Sequence, residues 1–451
     1  MPKTINPTTG EVIEEYSYIS DKDLENKIEK AYVAFKYWKN TDFEKRKKLF
    51  LNLAKIMEEN KEELAKLNTI EMWMVFKTAL WDVSKSISWT IYFAEHAEEW
   101  LKPIYFNEWW LTWKRVFEPL WVIYTISPWN FPYNQVFRNA VPNILAWNVV
   151  LSKHASNVPQ VARKIEELFL KAGFPEWVYQ NLQISSSKSE KIISDFRVKW
   201  TNITWWENAW KIIWSLAWKY IKPSILELWG SDPFILLDTE NIDEVVKLAI
   251  KWRMSAGWQK CNSSKRFIIL EKYYNEFVEK FTQAMSKLII WDPFEDVDLW
   301  PLAKEEMLDE LELMVNESVK MWAKLLLWWK RLDRKGFFFP PTILSNVEEN
   351  MPVFQKETFW PVAPIIKAKD MEEAIYLANI SEYWLASTVV TNDKDKFDYI
   401  SSKLETWNVF WNKIPTSYPF LPYGWVKNSG YGKELWERWM KNFTNEKVIV
   451  L

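Results

Sequence analysis

The chain has 451 residues, which is long enough for two or three domains, and its 48% apolar and 26% charged residues are ordinary for a globular protein. Its formal net charge of −2 argues against nucleic acid as the main partner. Because the polar start MPKTINPTTGEV lacks an apolar signal segment and no apolar run reaches about 18 residues, we expect a cytoplasmic protein with no membrane partner.

The chain begins with two predicted helices. The first, over 20–38, follows a Ser20 or Asp21 cap, and the second follows the capping-box sequence 41–44. Apolar residues recur at helical spacing in both, and we interpret both helices as scaffold. These apolar positions are Leu24, Ile28, Ala31 and Phe35 in the first helix, and Leu49, Leu53, Ile56 and Leu64 in the second.

From about residue 119 the periodicity changes. Short β-branched runs alternate with helical stretches, which predicts βαβ units and a parallel sheet with helices on both faces. The predicted strands are 122–126, 149–151, 178–182, 198–203 and 225–228, and the predicted helices are 134–146, 158–172, 187–196 and 207–220.

Before and after this unit the sequence predicts further elements. Residues 102–118 mix polar and aromatic side chains and suggest a protruding hairpin. Beyond Cys261 we predict a strand at 267–270 and helices near 272–288, 304–323 and 371–380. We find no repeat or flexible linker, so we expect the domains to interleave.

The glycine content is abnormally low. Average usage gives about 32 glycines at this length, whereas the chain has 8 glycines and 33 tryptophans. Many tryptophans stand where a turn favours glycine, as in 120–122, 146–148 and 406–408, although the indole's Cβ penalises positive φ. We hypothesise that the gene uses UGA for glycine and was translated as though UGA meant tryptophan. A truly Trp-rich protein would explain the tryptophans but not the missing glycines.

One stretch, 223–261, carries Glu227 near one end and the only cysteine, Cys261, at the other. A lone thiol is either an inert core residue or a nucleophile. Polar residues flank Cys261, and a carboxylate closing a strand-like run is a suitable base partner for it. Because the chain has only His96 and His154, a Cys-His dyad requires one of these two residues.

Several stretches resemble the signature sequences of the aldehyde dehydrogenases, in the same order and at similar separations. They are SPWNFP (127–132), ELWG (227–230), GWQKC (257–261), KETFWPV (356–362) and LPYGWVKNSGYGKE (421–434). The match runs from INPTTGEV (5–12) nearly to the C-terminus, and KHASNVP (153–159) and GSDPF (230–234) most resemble the succinate-semialdehyde dehydrogenases. The positions where the family has glycine are Trp121, Trp147, Trp205, Trp210, Trp229, Trp258, Trp300, Trp360 and Trp425.

The resemblance implies an α/β, aldehyde dehydrogenase-like fold. A Rossmann-type parallel-sheet cofactor domain would comprise 1–100 and 119–228, and an α/β catalytic domain would comprise 229–430. Oligomerisation segments would be 101–118 and 436–451, with 446–451 adding an edge strand across the interface of a homodimer or homotetramer.

The resemblance also implies a mechanism. Cys261 would attack the aldehyde carbon, and the Asn130 amide and the Cys261 backbone N–H would stabilise the oxyanion. Glu227 would activate the water that hydrolyses the thioester, which argues against the coenzyme-A-acylating relatives. The plainer interpretations are a turn residue for Asn130 and a solvated strand-end charge for Glu227.

Cofactor contacts are implied at both ends of a dinucleotide. Lys153 matches a lysine that reaches the adenine ribose, and the neutral Ser156 favours NADP over NAD because it does not repel a 2′-phosphate. Glu357 and Phe359 match residues at the nicotinamide end, and Trp129 matches a family tryptophan beside them. A surface lysine, a solvated acid and a core aromatic are the plainer alternatives for Lys153, Glu357 and Phe359.

The junction 204–210 corresponds to a turn over the pyrophosphate in which backbone must approach phosphate closely. Trp205 and Trp210 stand at its two glycine positions, so this turn cannot bind as in the family if the tryptophans are real. No metal site is expected.

The residues that would select the substrate are implied by weaker matches to the family. Arg138 matches an arginine that some succinate-semialdehyde dehydrogenases use for the substrate carboxylate, or it forms a helix-surface ion pair. The loop 414–420 would line the entrance and supplies Thr416 and Ser417 as neutral donors. We expect the substrate to be succinate semialdehyde, with another small aliphatic aldehyde as the second choice. An inactive scaffold and an aromatic-rich binding module remain the alternatives.

Overall fold

The computed structural model describes residues 3–205, 207–227, 230–254, 259–299, 301–327, 332, 334–359 and 362–451. Fifteen α-helices occur in this part of the chain. They are α1 (Asp21–Trp38), α2 (Phe43–Glu59), α3 (Lys61–Met72), α4 (Phe76–Leu101), α5 (Pro132–Leu145), α6 (Pro159–Lys171), α7 (Ser189–Ser194), α8 (Glu207–Lys219), α9 (Ile242–Arg253), α10 (Glu271–Met285), α11 (Glu305–Lys320), α12 (Pro352–Gln355), α13 (Met371–Asn379), α14 (Lys394–Lys403) and α15 (Trp436–Asn442).

The strands alternate with these helices over most of the chain. They are β1 (Lys3–Ile5), β2 (Val12–Glu15), β3 (Ile104–Glu108), β4 (Leu111–Pro119), β5 (Val122–Ser127), β6 (Val149–His154), β7 (Tyr179–Asn181), β8 (Val198–Thr204), β9 (Ser224–Glu227), β10 (Asp232–Leu236), β11 (Ser264–Leu270), β12 (Lys324–Leu327), β13 (Thr342–Ser345), β14 (Val362–Ala368), β15 (Tyr383–Trp384), β16 (Ala386–Val390), β17 (Asn408–Trp411), β18 (Tyr423–Gly424), β19 (Val426–Lys427), β20 (Gly430–Tyr431), β21 (Lys433–Glu434) and β22 (Thr444–Val450).

The first large sheet has the order β20-β9-β8-β5-β6-β7. Its five strands from β5 to β9 are parallel, and every residue of β5 and β6 is buried, as expected when helices cover both faces. The strand β20 joins from the far end of the chain and runs antiparallel, with Gly430 opposite Glu227. The predicted parallel sheet is therefore confirmed, and the carboxyl ends of β5, β8 and β9 meet at one edge.

The second large sheet has the order β12-β13-β14-β11-β10-β16-β17. Neighbouring residues of its central strands belong to different apolar clusters: Phe234 and Phe267 contribute to one, and Ile235 and Ile268 to the other. This alternation follows from the two-residue period of a strand. The second sheet is thus also covered on both faces, and it carries the segment that contains Cys261.

The predicted hairpin over 102–118 is confirmed as β3 and β4, which pair antiparallel. The C-terminal strand was predicted to add across an oligomer interface, and within the single chain described it extends the hairpin instead. The strand β22 pairs with β4 of its own chain, with Glu446 opposite Phe117, and forms a three-stranded sheet. It lies there because α15 delivers the chain directly to the free edge of β4.

Two helices differ from the prediction. The helix expected to contain both Leu53 and Leu64 is broken at Asn60, whose side-chain amide donates to the Ile56 carbonyl at 2.7 Å and ends α2. The long helix α4 was not predicted at all. None of the helices that the structure describes combines the length and the apolar character that crossing a bilayer requires.

Candidate active site

A cleft of about 400 Å³ lies where the first sheet faces the segments that follow β10. The residues 128–130, Thr204 and Glu227, at or just beyond the carboxyl ends of β5, β8 and β9, form one wall. Cys261, the segment 356–359 and one face of α11 form the opposite wall. Ligands of open parallel sheets bind beyond the carboxyl ends of the strands, so this position is typical of a cofactor or substrate site.

Cys261 and Glu227 face each other in this cleft. The thiol donates to Glu227 Oε1 at 3.5 Å, and the Glu227 side chain is 1% exposed. Burial, and then the charge of Glu227, raise the pKa of the Cys261 thiol above its ordinary range. The resting group is therefore a thiol with a carboxylate placed to accept its proton, which is the arrangement of an activated nucleophile.

Asn130 connects the two walls of the cleft. It lies between β5 and α5, is buried, and donates from Nδ2 to the Gln259 carbonyl at 2.8 Å. Nδ2 carries two hydrogens, so one N–H is not used by this bond. Asn130 Oδ1 is buried and has no partner among the described residues. The structure thus brings Asn130 to the loop that carries Cys261.

Lys265 was missed by the sequence reasoning, although it touches three parts of the site. Its Nζ lies 2.8 Å from Glu357 Oε1, donates to the Lys260 carbonyl at 3.0 Å, and also donates to the Cys261 carbonyl. Burial raises the pKa of Glu357 even beside this ammonium. The only signal in the sequence was a lysine just before the apolar run 267–270, where a charge needs a partner.

Gly230 shows why a glycine is needed beside the nucleophile. A Cβ at this position would lie 2.5 Å from the Cys261 carbonyl oxygen and 2.7 Å from Leu385 Cδ1. Neither the backbone nor the buried leucine has room to move, because both are packed in the core. The backbone N–H of Gly230 donates to Glu357 Oε1 at 3.4 Å, so the close approach also supports the cleft wall.

Arg138 lies behind Glu227 rather than on the cleft surface. Its NH2 group is 3.7 Å from Glu227 Oε2, and its Nε forms an ion pair with the buried Glu434. Burial lowers the pKa of Arg138, but the charges of Glu434 and Glu227 outweigh burial and raise it. Sequence reasoning missed Glu434, because its pairing with a residue some three hundred positions earlier depends on the tertiary fold.

The residues predicted at the nicotinamide end come together. Glu357, Phe359 and Trp129 all line the cleft, and the rings of Trp129 and Phe359 meet edge to face with centroids 6.0 Å apart. These aromatic surfaces and one carboxylate, next to the Cys261 thiol, fit a flat ring with an attached ribose.

At the other end of the cleft, the size of residue 205 decides whether a dinucleotide can fit. The Lys153 ammonium is buried at the end of β6, 5.7 Å from the centre of the Trp205 ring, and burial with the charge of Lys304 lowers its pKa to about 8. The indole of Trp205 lines the cleft at the entry to α8, where a dinucleotide phosphate would approach the backbone. The side chains at the nicotinamide end therefore fit a dinucleotide, whereas Lys153 does not line the cleft as described and would be reached only if residue 205 is small.

The remaining predicted residues lie outside the cleft. Ser156 is exposed beside His154 in a separate small depression. Trp210 stacks on Trp214 within α8, and its indole N–H is buried without a partner among the described residues. Ser417 is partly exposed and does not contribute to the cleft wall as described. The predicted glycine-like positions Trp229, Trp258, Trp300 and Trp360 lie outside the described residues.

Comparisons with known proteins agree with this geometry. The model of the "Aldehyde dehydrogenase family" matches residues 2–449. The succinate-semialdehyde dehydrogenase [NADP(+)] of Mycobacterium avium (strain 104) is 36% identical over 451 residues, covering 99% of this chain and 96% of the relative. The succinate-semialdehyde dehydrogenase [NADP(+)] 1 of Mycobacterium tuberculosis (strain ATCC 25618 / H37Rv) is 34% identical over 455 residues. The match covers 99% of this chain and 98% of the relative.

Solved structures match over the whole chain. The succinic semialdehyde dehydrogenase of Streptococcus pyogenes in complex with NADP+ has a TM-score of 0.97 and 32% identity, covering 100% of this chain and 99% of that one. A betaine aldehyde dehydrogenase of Staphylococcus aureus in complex with NAD+ has a TM-score of 0.95 and 26% identity. The match covers 99% of this chain and 91% of that one. The predicted fold class is confirmed.

Proposed function

The chain belongs to the aldehyde dehydrogenase family, and from this premise we propose that it oxidises succinate semialdehyde to succinate with NADP+. The chain is an oxidoreductase, and an inactive scaffold is not favoured. The observation that carries the proposal is the Cys261 thiol donating to Glu227 Oε1 in the cleft. The names of the relatives, which are succinate-semialdehyde dehydrogenases using NADP+, support this substrate and cofactor.

The chemistry begins at Cys261. Glu227 accepts the thiol proton, and the thiolate adds to the aldehyde carbon. The second N–H of the Asn130 amide and the backbone N–H of Cys261 donate to the oxygen that becomes negative. Lys265 holds the Cys261 carbonyl, and so it fixes the direction of the loop that presents the sulfur.

After the aldehyde carbon is oxidised, the acyl group remains on Cys261 as a thioester. Glu227, having released the thiol proton to solvent, then accepts a proton from water, which attacks the thioester carbonyl. The C–S bond breaks, the carboxylate leaves, and the Cys261 thiolate regains a proton. One carboxylate serves both steps because it lies 3.5 Å from the sulfur and therefore near every group bonded to it.

NADP+ would be held by Lys153 at the adenosine ribose, by Glu357 at the nicotinamide ribose, and by Trp129 and Phe359 at the nicotinamide ring. When bound, it supplies the acceptor for the hydride that the aldehyde carbon loses. The neutral, exposed Ser156 presents no negative charge to a 2′-phosphate, so we assign NADP+ as the preferred cofactor and NAD+ as a weaker one.

Steady-state kinetics tests the assignment. We compare succinate semialdehyde with butanal, which has the same carbon chain without the carboxylate, and NADP+ with NAD+. We expect kcat/KM to be at least about tenfold higher for succinate semialdehyde and for NADP+, because the relatives named above are succinate-semialdehyde dehydrogenases that use NADP+ and because Ser156 does not repel the 2′-phosphate. Equal values for the two aldehydes would favour another small aliphatic aldehyde and contradict the substrate assignment.

The larger organisation follows from the same premise. We propose that the first sheet with α1 to α8 binds the cofactor, that the second sheet forms the catalytic domain, and that β3, β4 and β22 form the oligomerisation sheet of a homodimer or homotetramer. We also propose a cytoplasmic location.

We further propose that many of the tryptophans are glycines in the native protein, encoded by UGA. Among the described residues, seven of the twelve non-glycine residues with positive φ are tryptophans. They are Trp73, Trp109, Trp121, Trp147, Trp177, Trp322 and Trp436. Trp121 has φ of 114°, which glycine adopts without cost but which an indole-bearing residue rarely adopts. This backbone geometry supports the proposal independently of the residue counts.

Peptide mass spectrometry of the protein isolated from its own source tests the recoding, together with the codons of the gene. We expect glycine and UGA at 205, 229, 258 and 360, and tryptophan with UGG at 129. Tryptophan in all five peptides would refute the proposal and would leave the turn at 205 blocked to the cofactor phosphates.

A further inference from the structure

The peptide between Lys260 and Cys261 carries the backbone N–H that the proposed function assigns to the oxyanion. A trans peptide is planar, so the N–H of Cys261 and the carbonyl of Lys260 point in opposite directions. Among the described residues, no acceptor lies within hydrogen-bond distance of the Cys261 N–H. The groups that hold the Lys260 carbonyl therefore set the direction in which this N–H is offered to a ligand.

Two residues hold the Lys260 carbonyl, and one of them is charged. Lys265 donates to it from Nζ at 3.0 Å. Ser263 donates to it from the backbone N–H at 3.2 Å and from Oγ at 3.1 Å. The side chain of Lys265 is 0% exposed, so solvent screens its charge little. A charged donor at the carbonyl polarises the peptide and strengthens the N–H at its other end.

The ammonium of Lys265 is fixed in place by its own contacts. It has three N–H donors. Its acceptors are the Lys260 carbonyl, the Cys261 carbonyl and, at 2.8 Å, Glu357 Oε1. The same Glu357 oxygen accepts from the backbone N–H of Gly230 at 3.4 Å. Two of the three donors are thus committed to the loop that carries the nucleophile, and the third is held by a carboxylate that is itself anchored.

The other group assigned to the oxyanion is tied to the same loop. Asn130 donates from Nδ2 to the Gln259 carbonyl at 2.8 Å. The carbonyls of three consecutive residues, 259–261, are therefore each held by a side chain, the first by Asn130 and the next two by Lys265. This segment fixes the amide of Asn130 and the N–H of Cys261 relative to each other.

We propose that Lys265 is a positioning residue of the oxyanion site. It directs the Cys261 N–H through the Lys260 carbonyl, and its charge makes that N–H a stronger donor to the oxygen that becomes negative when the thiolate adds to a carbonyl carbon. Lys265 does not line the cleft as described, so it acts through the peptide and not by contact with a ligand. This inference rests on the proposed function and deepens it.

Lys265 also acts on the thiol itself, and a test has to separate the two effects. Burial and the charge of Glu227 raise the pKa of the Cys261 thiol, and the charge of Lys265 opposes them. Removal of the lysine therefore lowers the thiolate population and slows every reaction of Cys261. Only a reaction that forms an oxyanion should be slowed further.

Two reagents that need no cofactor distinguish these effects. Iodoacetamide alkylates the Cys261 thiolate with loss of iodide and forms no oxyanion. With p-nitrophenyl acetate the thiolate adds to the ester carbonyl, the oxyanion collapses, the C–O bond breaks and p-nitrophenolate leaves. In the protein that carries the residues its codons specify, we expect Lys265→Met to lower the ratio of the acylation rate to the alkylation rate about 10- to 100-fold, since losing an oxyanion donor entirely costs about 100- to 1,000-fold.

Lys265→Met leaves the buried Glu357 carboxylate without its cation, which can prevent folding. The double variant Lys265→Met with Glu357→Gln removes both charges and should show the same lowered ratio. Glu357→Gln alone keeps the lysine on both carbonyls, so it should lower the ratio by less than about threefold. Lys272→Met, at an exposed position, is the matched control and should react with both reagents as the wild type does.

The two proposals fail in different ways. If p-nitrophenyl acetate does not acylate Cys261 of the wild type, the thiol is not the nucleophile and the proposed function is wrong. If the wild type is acylated and both Lys265 variants keep its ratio of rates, Lys265 does not support the oxyanion donor. An equal fall of the ratio in Glu357→Gln alone would also overturn the inference, because it would assign the effect to the ion pair and not to the contact with the carbonyls.

Discussion

At the scale of single residues, Glu227 affects Cys261 in two opposite ways. The carboxylate accepts from the thiol at 3.5 Å, yet its charge is the largest contribution after burial to the raised pKa of Cys261. Glu227 thus makes proton removal possible and at the same time makes the free thiolate less stable.

Glu227→Gln should therefore speed alkylation of Cys261 by iodoacetamide at neutral pH while it slows turnover. Because burial remains, we expect an increase of about threefold to tenfold, which corresponds to a pKa lowered by up to about one unit. Cys261 is the only cysteine, so labelling reports this thiol alone. Glu317→Gln, which removes another carboxylate of the same cleft, should leave the rate unchanged. Slower alkylation in Glu227→Gln would contradict the electrostatic account.

The sequence predicted Cys261, Glu227, Asn130 and Glu357 as site residues, because short motifs carry them, and the structure places all four around one cleft. It did not predict Lys265 or Glu434. Both act through side-chain contacts to residues far away in the chain, and no local pattern records such a pairing. Arg138 matched a motif, but its two carboxylate partners, which decide what it can bind, were visible only in the fold.

At the scale of the elements, a carboxylate of one helix holds the start of another. Asp82 of α4 accepts from two N–H groups in the first turn of α5, which have no partner inside their own helix. Burial nevertheless raises the pKa of Asp82 to about 7. The unfolded chain has an aspartate pKa of about 3.9. Between these values the folded protein binds a proton that the unfolded chain has released.

The free energy of unfolding should consequently fall as pH rises from about 4 to about 7. Asp82→Asn removes this titration, so the free energy of unfolding of the variant should decline less than that of the wild type over the same range. We expect the two declines to differ by on the order of 1 to 4 kcal/mol. Burial also raises the pKa of Glu71 and of Asp232 to about 7, so part of the decline should persist.

Denaturant unfolding at a series of pH values measures the effect. Asp296→Asn, at an exposed position, is the control and should follow the wild type. Identical pH dependence in Asp82→Asn and the wild type would show that the Asp82 carboxylate does not take up a proton on folding.

The sequence predicted the five parallel strands of the first sheet because their periodicity is regular, and their ends lie within a few residues of those observed, but of the second sheet it predicted only β11. The helix α4 escaped prediction because serine, threonine and aromatic residues interrupt its apolar pattern and have modest helix propensity. It is stabilised by packing against α2, α3 and α5, which local propensity does not reveal. The break at Asn60 likewise depends on a single side-chain bond.

At the scale of the whole molecule, the two sheets are completed by distant parts of the chain. The strand β20 reaches back to β9, and a Cβ at Gly430 would collide with the Leu226 carbonyl. A tryptophan at that position could not be accommodated. Gly230, Gly336 and Gly430 thus stand where backbone meets backbone. The sequence shows how few glycines the chain has, but it does not show the φ angles and close approaches that depend on them.

The sheet of β3, β4 and β22 leaves apolar side chains in solvent. Val448 and Val450, two residues apart and therefore on one face of β22, are 58% and 59% exposed. If this sheet joins subunits, Val448→Lys with Val450→Lys should shift the protein to a smaller species in light scattering after gel filtration. Val12→Lys, at another exposed valine, should not. An unchanged mass in the double variant would remove this sheet from the interface.

The central claim is that Cys261 carries the acyl group and Glu227 releases it. The most direct measurement is the mass of the Cys261 peptide after Glu227→Gln is mixed with NADP+ and succinate semialdehyde and quenched in acid. We predict one succinyl group on Cys261, accompanied by about one equivalent of NADPH per active site, because hydrolysis of the thioester lacks its base. An unmodified Cys261 peptide after that equivalent of NADPH has formed would contradict the account.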